Sequence, residues 1–288
     1  SALYFPTGSM TNQAAIKIHT QPGEQLIADK YAHVYNYEGG GVSFNSGVSC
    51  KLIDGHRGMI TADQVEEHIN PPDFYHSPLT SLVCLENTTN KGGGACYDFR
   101  EILKIRKICD DHGLGFHLDG ARLWNALVVT DESPKDYGAA FDTISVCLSK
   151  GLGAPMGSVL VGKQKFMDKA MRVRKILGGG MRQVGFAAAA GLYGIEHHWQ
   201  RMADDHKRAQ ELSIALNQHP EVAHVEPVET NILIFNLRAD ADELQFIERL
   251  KAEDIHISAL GKGKLRIVTH YDYTEAMHQH FLAFLKQE

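Results

Sequence analysis

The sequence predicts an α/β fold. A large domain over 1–198 is built on a mostly parallel, doubly wound sheet, and a smaller α+β domain follows over 199–288. Three observations carry this. Short apolar and β-branched runs alternate with amphipathic stretches as far as Ile195, the pattern of a parallel sheet with helices on both faces. Beyond Ile195 a long polar helix, 199–216, gives way to closely spaced strands and helices, a size that suits a small second domain. Residues able to do chemistry also stand at the carboxyl ends of the runs, where open α/β sheets hold ligands.

Taken in order, 3–5 end a first strand, and Pro6-Thr7-Gly8-Ser9 opens an amphipathic helix to His19. Gly8 and Ser9 read either as a plain cap or as a helix N-terminus that offers N–H groups to a phosphate. Strand 26–28 leads to His33, which reads as solvent-facing or as a ring partner, and Glu38-Gly39-Gly40-Gly41 ends that segment. Runs 42–44 and 51–53 are strand candidates, and Thr61-Ala62-Asp63-Gln64 reads as a capped helix start. After Pro71-Pro72 and His76, strand 79–85 delivers Glu86 to Asn90. Helix 97–112 then precedes strand 114–118 with Asp119, and helix 121–127 with Arg122. Strands 143–148 and 158–161 flank Ser149-Lys150-Gly151-Leu152-Gly153, and helix 165–175 precedes Gly178-Gly179-Gly180-Met181-Arg182-Gln183. In the second domain, strands 231–237, 255–259 and 265–269 and helices 240–251 and 274–285 are expected. Gly261-Lys262-Gly263-Lys264 reads as a hairpin turn, since it lacks the spacing of a phosphate-binding loop.

Composition narrows the function. A net charge of −6, with 43% apolar and 22% charged residues, makes no electrostatic case for nucleic acid or an anionic membrane. The longest uncharged apolar-leaning run, 184–195, is far below the ~20 residues of a bilayer span, and no signal peptide is visible. The five cysteines are scattered without a CxxC pair, which fits small buried hydrophobes in a reducing, cytoplasmic setting. The sixteen histidines show no zinc-type spacing, so no metal is expected; a metal hydrolase built on His117-x-Asp119 is a distant alternative.

Lys150 sits among glycines between two apolar runs. It reads either as a lysine that snorkels to solvent or as a desolvated amine, nucleophilic towards carbonyls. Asp119, one strand away, tilts the balance. Pyridoxal phosphate requires an amine for its aldehyde and a carboxylate behind its ring nitrogen.

FHLDGARLWNA, SVCLSKGLGAPMGSVLVG and GGGMRQ together resemble the low-specificity threonine aldolases, akin to the β-eliminating lyases, and the resemblance runs from PTGSMTNQ to LRIVTH. It implies a fold-type I pyridoxal-phosphate enzyme, with pyridoxal 5'-phosphate as cofactor. The activity implied is retro-aldol Cα–Cβ cleavage of threonine or allo-threonine to glycine and acetaldehyde. A related β-eliminating lyase, a phenylserine-type aldolase and a non-catalytic cofactor-binding protein are the alternatives. The resemblance also implies roles: Lys150 holds the aldehyde, Asp119 backs the ring nitrogen, His33 stacks on the ring, and Gly8 and Ser9 cup the phosphate. Arg182 reaches a phosphate in a neighbouring subunit, Arg122 and Arg266 grip the substrate carboxylate, and His76 lies near the substrate side chain. His33 and His76 are the base candidates, while Thr89 stands where several relatives carry histidine. The implied assembly is a homo-oligomer, dimer or tetramer, with sites at the subunit interface. A leading segment ahead of the phosphate cup, which this sequence lacks, is expected to supply part of the active site and interface.

Overall fold

The computed structural model describes residues 1–287, and the chain divides into two units. The first comprises Ser1–Gly92 and Cys96–Trp199; the second comprises Gly93–Ala95 and the chain from Gln200 onward.

In the first unit β1 (Ala2–Phe5) leads into α1 (Gly8–His19), β2 (Gln25–Asp29), the short helices α2 (His33–Asn36) and α3 (Gly41–Ser46), and β3 (Ser49–Ile53). Then come α4 (Ala62–Glu67), β4 (Thr80–Glu86), α5 (Phe99–His112), β5 (Gly115–Asp119), α6 (Leu123–Val129) and α7 (Pro134–Ala140). The antiparallel pair β6 (Thr143–Cys147) and β7 (Ser158–Gly162) precedes α8 (Gln164–Ile176) and α9 (Gly185–His197). The seven strands lie in the order β1-β7-β6-β5-β4-β2-β3. From β6 to β3 every pairing is parallel; β7 and β1 run antiparallel at one edge.

Local chemistry sets the helix ends. Thr61 and Gln64 form the reciprocal capping box expected at α4, and Asp98 caps α5, which stops at Gly113 in the left-handed region. The strand expected at 42–44 is instead helix α3. Gly40 and Gly47, both left-handed with φ of 73° and 67°, bracket a single helical turn-and-a-half, and the lone β-branched Val42 does not override them.

The alternation within the central strands decides what the sheet can do. Phe116 and Leu118 of β5, Ile144 and Val146 of β6, and Val83 and Leu85 of β4 pack into one apolar core with Ile102 and Ile105 of α5. The intervening residues point to the opposite face, towards α1. In β5 these are His117 and Asp119, in β6 Thr143, Ser145 and Cys147, and in β4 Cys84 and Glu86. All are buried, so this face carries polar groups that must find partners inside the protein.

The second unit comprises α10 (Met202–Gln218), β8 (Val222–Val225), β9 (Ile232–Leu237), α11 (Glu243–Ala252), β10 (Ser258–Gly261), β11 (Lys264–Val268) and α12 (Glu275–Gln287). Its antiparallel sheet, ordered β10-β11-β9-β8, packs Leu233, Phe235 and Leu265 against Leu212 of α10 and Phe246 of α11. Strand β8 was not anticipated from its sequence. The β10–β11 turn places Lys262 and Gly263 at φ of 57° and 73°, a hairpin geometry, as the sequence implied. Among the described residues no helix is long and apolar enough to cross a membrane.

Candidate active site

A cleft of about 350 Å³ opens at the carboxyl ends of β5 and β6, beneath the N-terminus of α1. Asp119 ends β5, while β6 leads through Cys147 and Ser149 to Lys150, and all four line the cleft with Ser9 and His33. The chain folds back from Lys150 through Gly153 (φ +72°) and Gly157 (φ +113°); a Cβ at Gly157 would stand 2.3 Å from the Tyr4 hydroxyl. Thr7 caps α1 by accepting the Met10 N–H, at 3.2 Å. Helix geometry leaves the N–H groups of Gly8 and Ser9 without partners inside the helix. Gly8 is constrained too: any Cβ there would lie 2.9 Å from the Cys147 sulfur, so the floor accepts no larger residue without movement.

Part of the cleft lining is a hydrogen-bond network centred on Asn12. Its Nδ2 donates to Asp119 Oδ2 (2.9 Å) and to Glu38 Oε1 (2.8 Å). Its Oδ1 accepts from the Ser145 hydroxyl and faces His117 Nε2 at 3.2 Å. Glu38 Oε1 also lies 3.0 Å from His33 Nδ1, and Gln13 Nε2 donates to Glu38 Oε2. Asp119 accepts the Ala121 N–H on its other oxygen, and Glu86 accepts the N–H groups of His33 and Asn90. One ligand atom each from His33, Glu38 and Asp119 come within 4.8 Å of one another. An N–H donor occupies the space between the two carboxylates, the reverse of what a cation needs.

Burial and charge tune these groups. Burial, with the Asp119 charge beside it, pushes the Glu86 carboxyl up to about 7. Burial lowers His117 to about 4, and burial with the neighbouring His117 lowers His19 to about 3, so both rings are neutral at pH 7. The hydrogen bond that His33 donates to Glu38 raises the histidine, against the opposing effect of burial. Burial raises the Cys147 thiol, while Lys150 and Arg122 pull it the other way, which sets both cations electrostatically close to it.

Of the residues singled out from sequence, the structure brings Gly8, Ser9, His33, Asp119 and Lys150 to one cleft. Lys150 is half-buried rather than enclosed in an apolar pocket. His76 lies elsewhere: it is exposed against Phe74 and Tyr75 in the loop before the amino end of β4. The cleft is at the other end of that parallel strand, roughly 20 Å away for its length. Thr89 is buried with its side chain against Gly58. Arg182 is exposed in the loop between α8 and α9, and Arg266 is half-buried on β11 of the second unit. Sequence reasoning missed Asn12, Glu38, Glu86 and Ser145. For Glu86 of β4 and Ser145 of β6 the available signal was polar residues at every second position of strands otherwise apolar enough to be buried; Asn12 on α1 and Glu38 in a loop carried no such signal.

The model of the family described as beta-eliminating lyase matches residues 1–240. Low-specificity L-threonine aldolase 1 of Arabidopsis thaliana is 36% identical over 297 residues, covering 100% of this chain and 82% of that protein. Low specificity L-threonine aldolase of Escherichia coli O157:H7 is 35% identical, covering 99% of this chain and 84% of the relative. Among solved structures, the Leishmania major threonine aldolase superposes with a TM-score of 0.87 at 23% identity, covering 100% of this chain and 84% of its own. A putative L-allo-threonine aldolase from Listeria monocytogenes does so with a TM-score of 0.85 at 22% identity, covering 100% and 82%. Those likenesses establish the fold, and the family match joins them to a cleft lined by a lysine and a buried aspartate: the chain belongs to the beta-eliminating lyase family, whose members depend on pyridoxal phosphate.

Proposed function

We propose that this protein is a carbon–carbon lyase that cleaves threonine and allo-threonine to glycine and acetaldehyde, with pyridoxal phosphate as its cofactor. The observation that carries the reading is that Lys150 and Asp119 line one cleft with Gly8 and Ser9 of the N-terminus of α1. The donor set fits the cofactor. Helix N–H groups at Gly8 and Ser9 suit a phosphate, a carboxylate at Asp119 suits a protonated ring nitrogen, and an amine at Lys150 suits an aldehyde. Gly8, which no side chain could replace without displacing Cys147, keeps the phosphate end open.

Bound there, pyridoxal phosphate supplies a sink for the electron pair released when a bond to Cα breaks. The chain does the rest. Lys150 would hold the aldehyde carbon, and Asp119, itself held by Asn12 and the Ala121 N–H, would keep a proton on the ring nitrogen. Arg122 would grip the substrate carboxylate as a planar two-point donor, and the same role for Arg266 of the second unit rests on the family resemblance alone. Such a grip would orient the substrate, and orientation selects which bond to Cα breaks. His33, the histidine of the cleft, takes the β-hydroxyl proton; its position supports it over His76 as base.

A homo-oligomer with shared sites belongs to the same proposal. Helix α9 is apolar on all sides, yet Phe186 is 85% exposed and Tyr193 57%. A helix of that character is normally covered, and a second copy of this chain would cover it and bring Arg182 to a neighbouring cofactor. A cytoplasmic location fits five scattered cysteines without a CxxC pair.

The test is glycine formation from both threonine diastereomers, with the cofactor spectrum recorded alongside. Glycine and acetaldehyde in equal amounts are expected. The family's description favours β-elimination as a second reading; pyruvate and ammonia from serine, without glycine from threonine, would replace the first. Light scattering checks the assembly, where an active, cofactor-loaded monomer would remove the shared site.

A further inference from the structure

The wall around Asn12 is more specified than a cofactor-contacting aspartate requires. Asn12 can make two donor and two acceptor bonds, and all four are used. Its orientation is forced. The Asp119 and Glu38 carboxylates can only accept, so the amide nitrogen must face them and Oδ1 must face Ser145 and His117. His117, a neutral ring, lies with Nδ1 2.9 Å from the Thr143 hydroxyl and 3.1 Å from the Thr143 carbonyl. That hydroxyl also lies 2.9 Å from His19 Nε2. The Glu38 side chain has no exposed surface, and it accepts from Asn12, Gln13 and His33. A buried carboxylate persists only with such donors. Because the carboxylate accepts, His33 Nδ1 carries the hydrogen.

We infer that Asn12 and Glu38 are positioning residues of this cleft: Asn12 ties Asp119 to Glu38 through one amide, and Glu38 fixes the His33 ring so that Nε2 is the nitrogen offered to a ligand. The ring partner and the ring-nitrogen acid thereby share one frame and move together. The inference rests on the proposed cofactor site, yet its geometry is a property of the chain itself. The groups that face His33 are Glu38 at its ring nitrogen, Glu86 at its backbone N–H, Asp119 across Asn12 and the Tyr37 ring, with Lys150 also lining the cleft. Three carboxylates raise its affinity for a proton, and the Glu38 hydrogen bond is the largest of these effects.

The experiment titrates His33 by NMR in the full-length, histidine-labelled protein, with and without pyridoxal phosphate; His33→Phe assigns the signal. In Glu38→Gln the midpoint falls by about one pH unit or more, and the acidic limb of the kcat/KM profile for threonine moves with it. In Gln13→Met, Glu38 keeps its carboxyl group but loses a donor, so the His33 midpoint rises. Asn12→Ala weakens pyridoxal phosphate binding to the apoprotein about tenfold, read by absorbance. A His33 midpoint that is unchanged in Glu38→Gln, or that falls in both variants as general loosening would produce, overturns the inference. The titration without cofactor reads the same whether or not threonine is cleaved, so failure of the proposed activity is a separate result.

Discussion

The two sides of the cleft are built on opposite principles. On the Asp119 side Asn12, Ser145, His117 and Glu38 form a closed network in which each polar group has a partner. On the Lys150 side a half-buried lysine stands on a glycine-rich return loop, with the Cys147 thiol as its polar neighbour. A group that must hold a proton at one atom gains from rigidity, because stray motion there lets in water and dissipates the field. An amine that must join and leave a carbon needs room to move. The fold places the first between two buried strands and the second on the loop beyond one.

If that contrast is right, the loop side fails at once and the network side in degrees. Lys150→Ala should abolish the visible absorbance of the cofactor-loaded protein and lower threonine cleavage by more than about 10³-fold, as loss of a covalent group does. A retained band that borohydride bleaches at another lysine would move the chemistry elsewhere. Asp119→Asn keeps an acceptor for the Ala121 N–H but removes the charge. The loss expected in kcat is on the order of 10²–10³-fold, with the fold intact by circular dichroism.

The same contrast separates what could be read from the sequence. Lys150 and Asp119 were legible because each follows a short apolar run, and strand ends are where open sheets bind ligands. The alternation of strands and helices was legible for the same reason, since periodicity is local. Asn12 was not, because its role exists only when it meets Asp119, 107 residues away. The stretch FHLD reads as apolar, yet its second and fourth residues form the polar face; only burial of both sides of β5 distinguishes that from an ordinary core strand. Val42 shows the limit in the other direction, where two left-handed glycines outweighed a β-branched residue.

In the second unit, Arg266 lies on β11 between buried Leu265 and Ile267. Replacing it with leucine should preserve that strand and raise KM for threonine about 10- to 100-fold, the worth of a charge-assisted hydrogen bond, with a smaller change in kcat. An unchanged KM removes it as carboxylate anchor and leaves Arg122 alone in that role.

The smallest effect is on stability, and it bears on how many charges the network side holds. Folded Glu86 keeps its proton up to about 7, whereas the unfolded group titrates at the ordinary value of 4.5. Between those values the folded chain binds more protons, so this group's contribution to stability falls as pH rises through the window. His117 works in the opposite direction: held at about 4 against an ordinary 6.5, it makes the folded chain less stable as pH drops from 6.5 towards 4. In the parent protein the two slopes oppose each other. Glu86→Gln removes the first and leaves the second. Urea unfolding at pH 5 and pH 7 should therefore show the variant gaining on the parent with rising pH, by on the order of 1–2 kcal/mol, whatever fixed cost the loss of one acceptor oxygen imposes. A difference that stays flat across the window means that Glu86 is ionised throughout. The N–H groups of His33 and Asn90, which Glu86 accepts, then do more than the low polarity of the site to set its protonation.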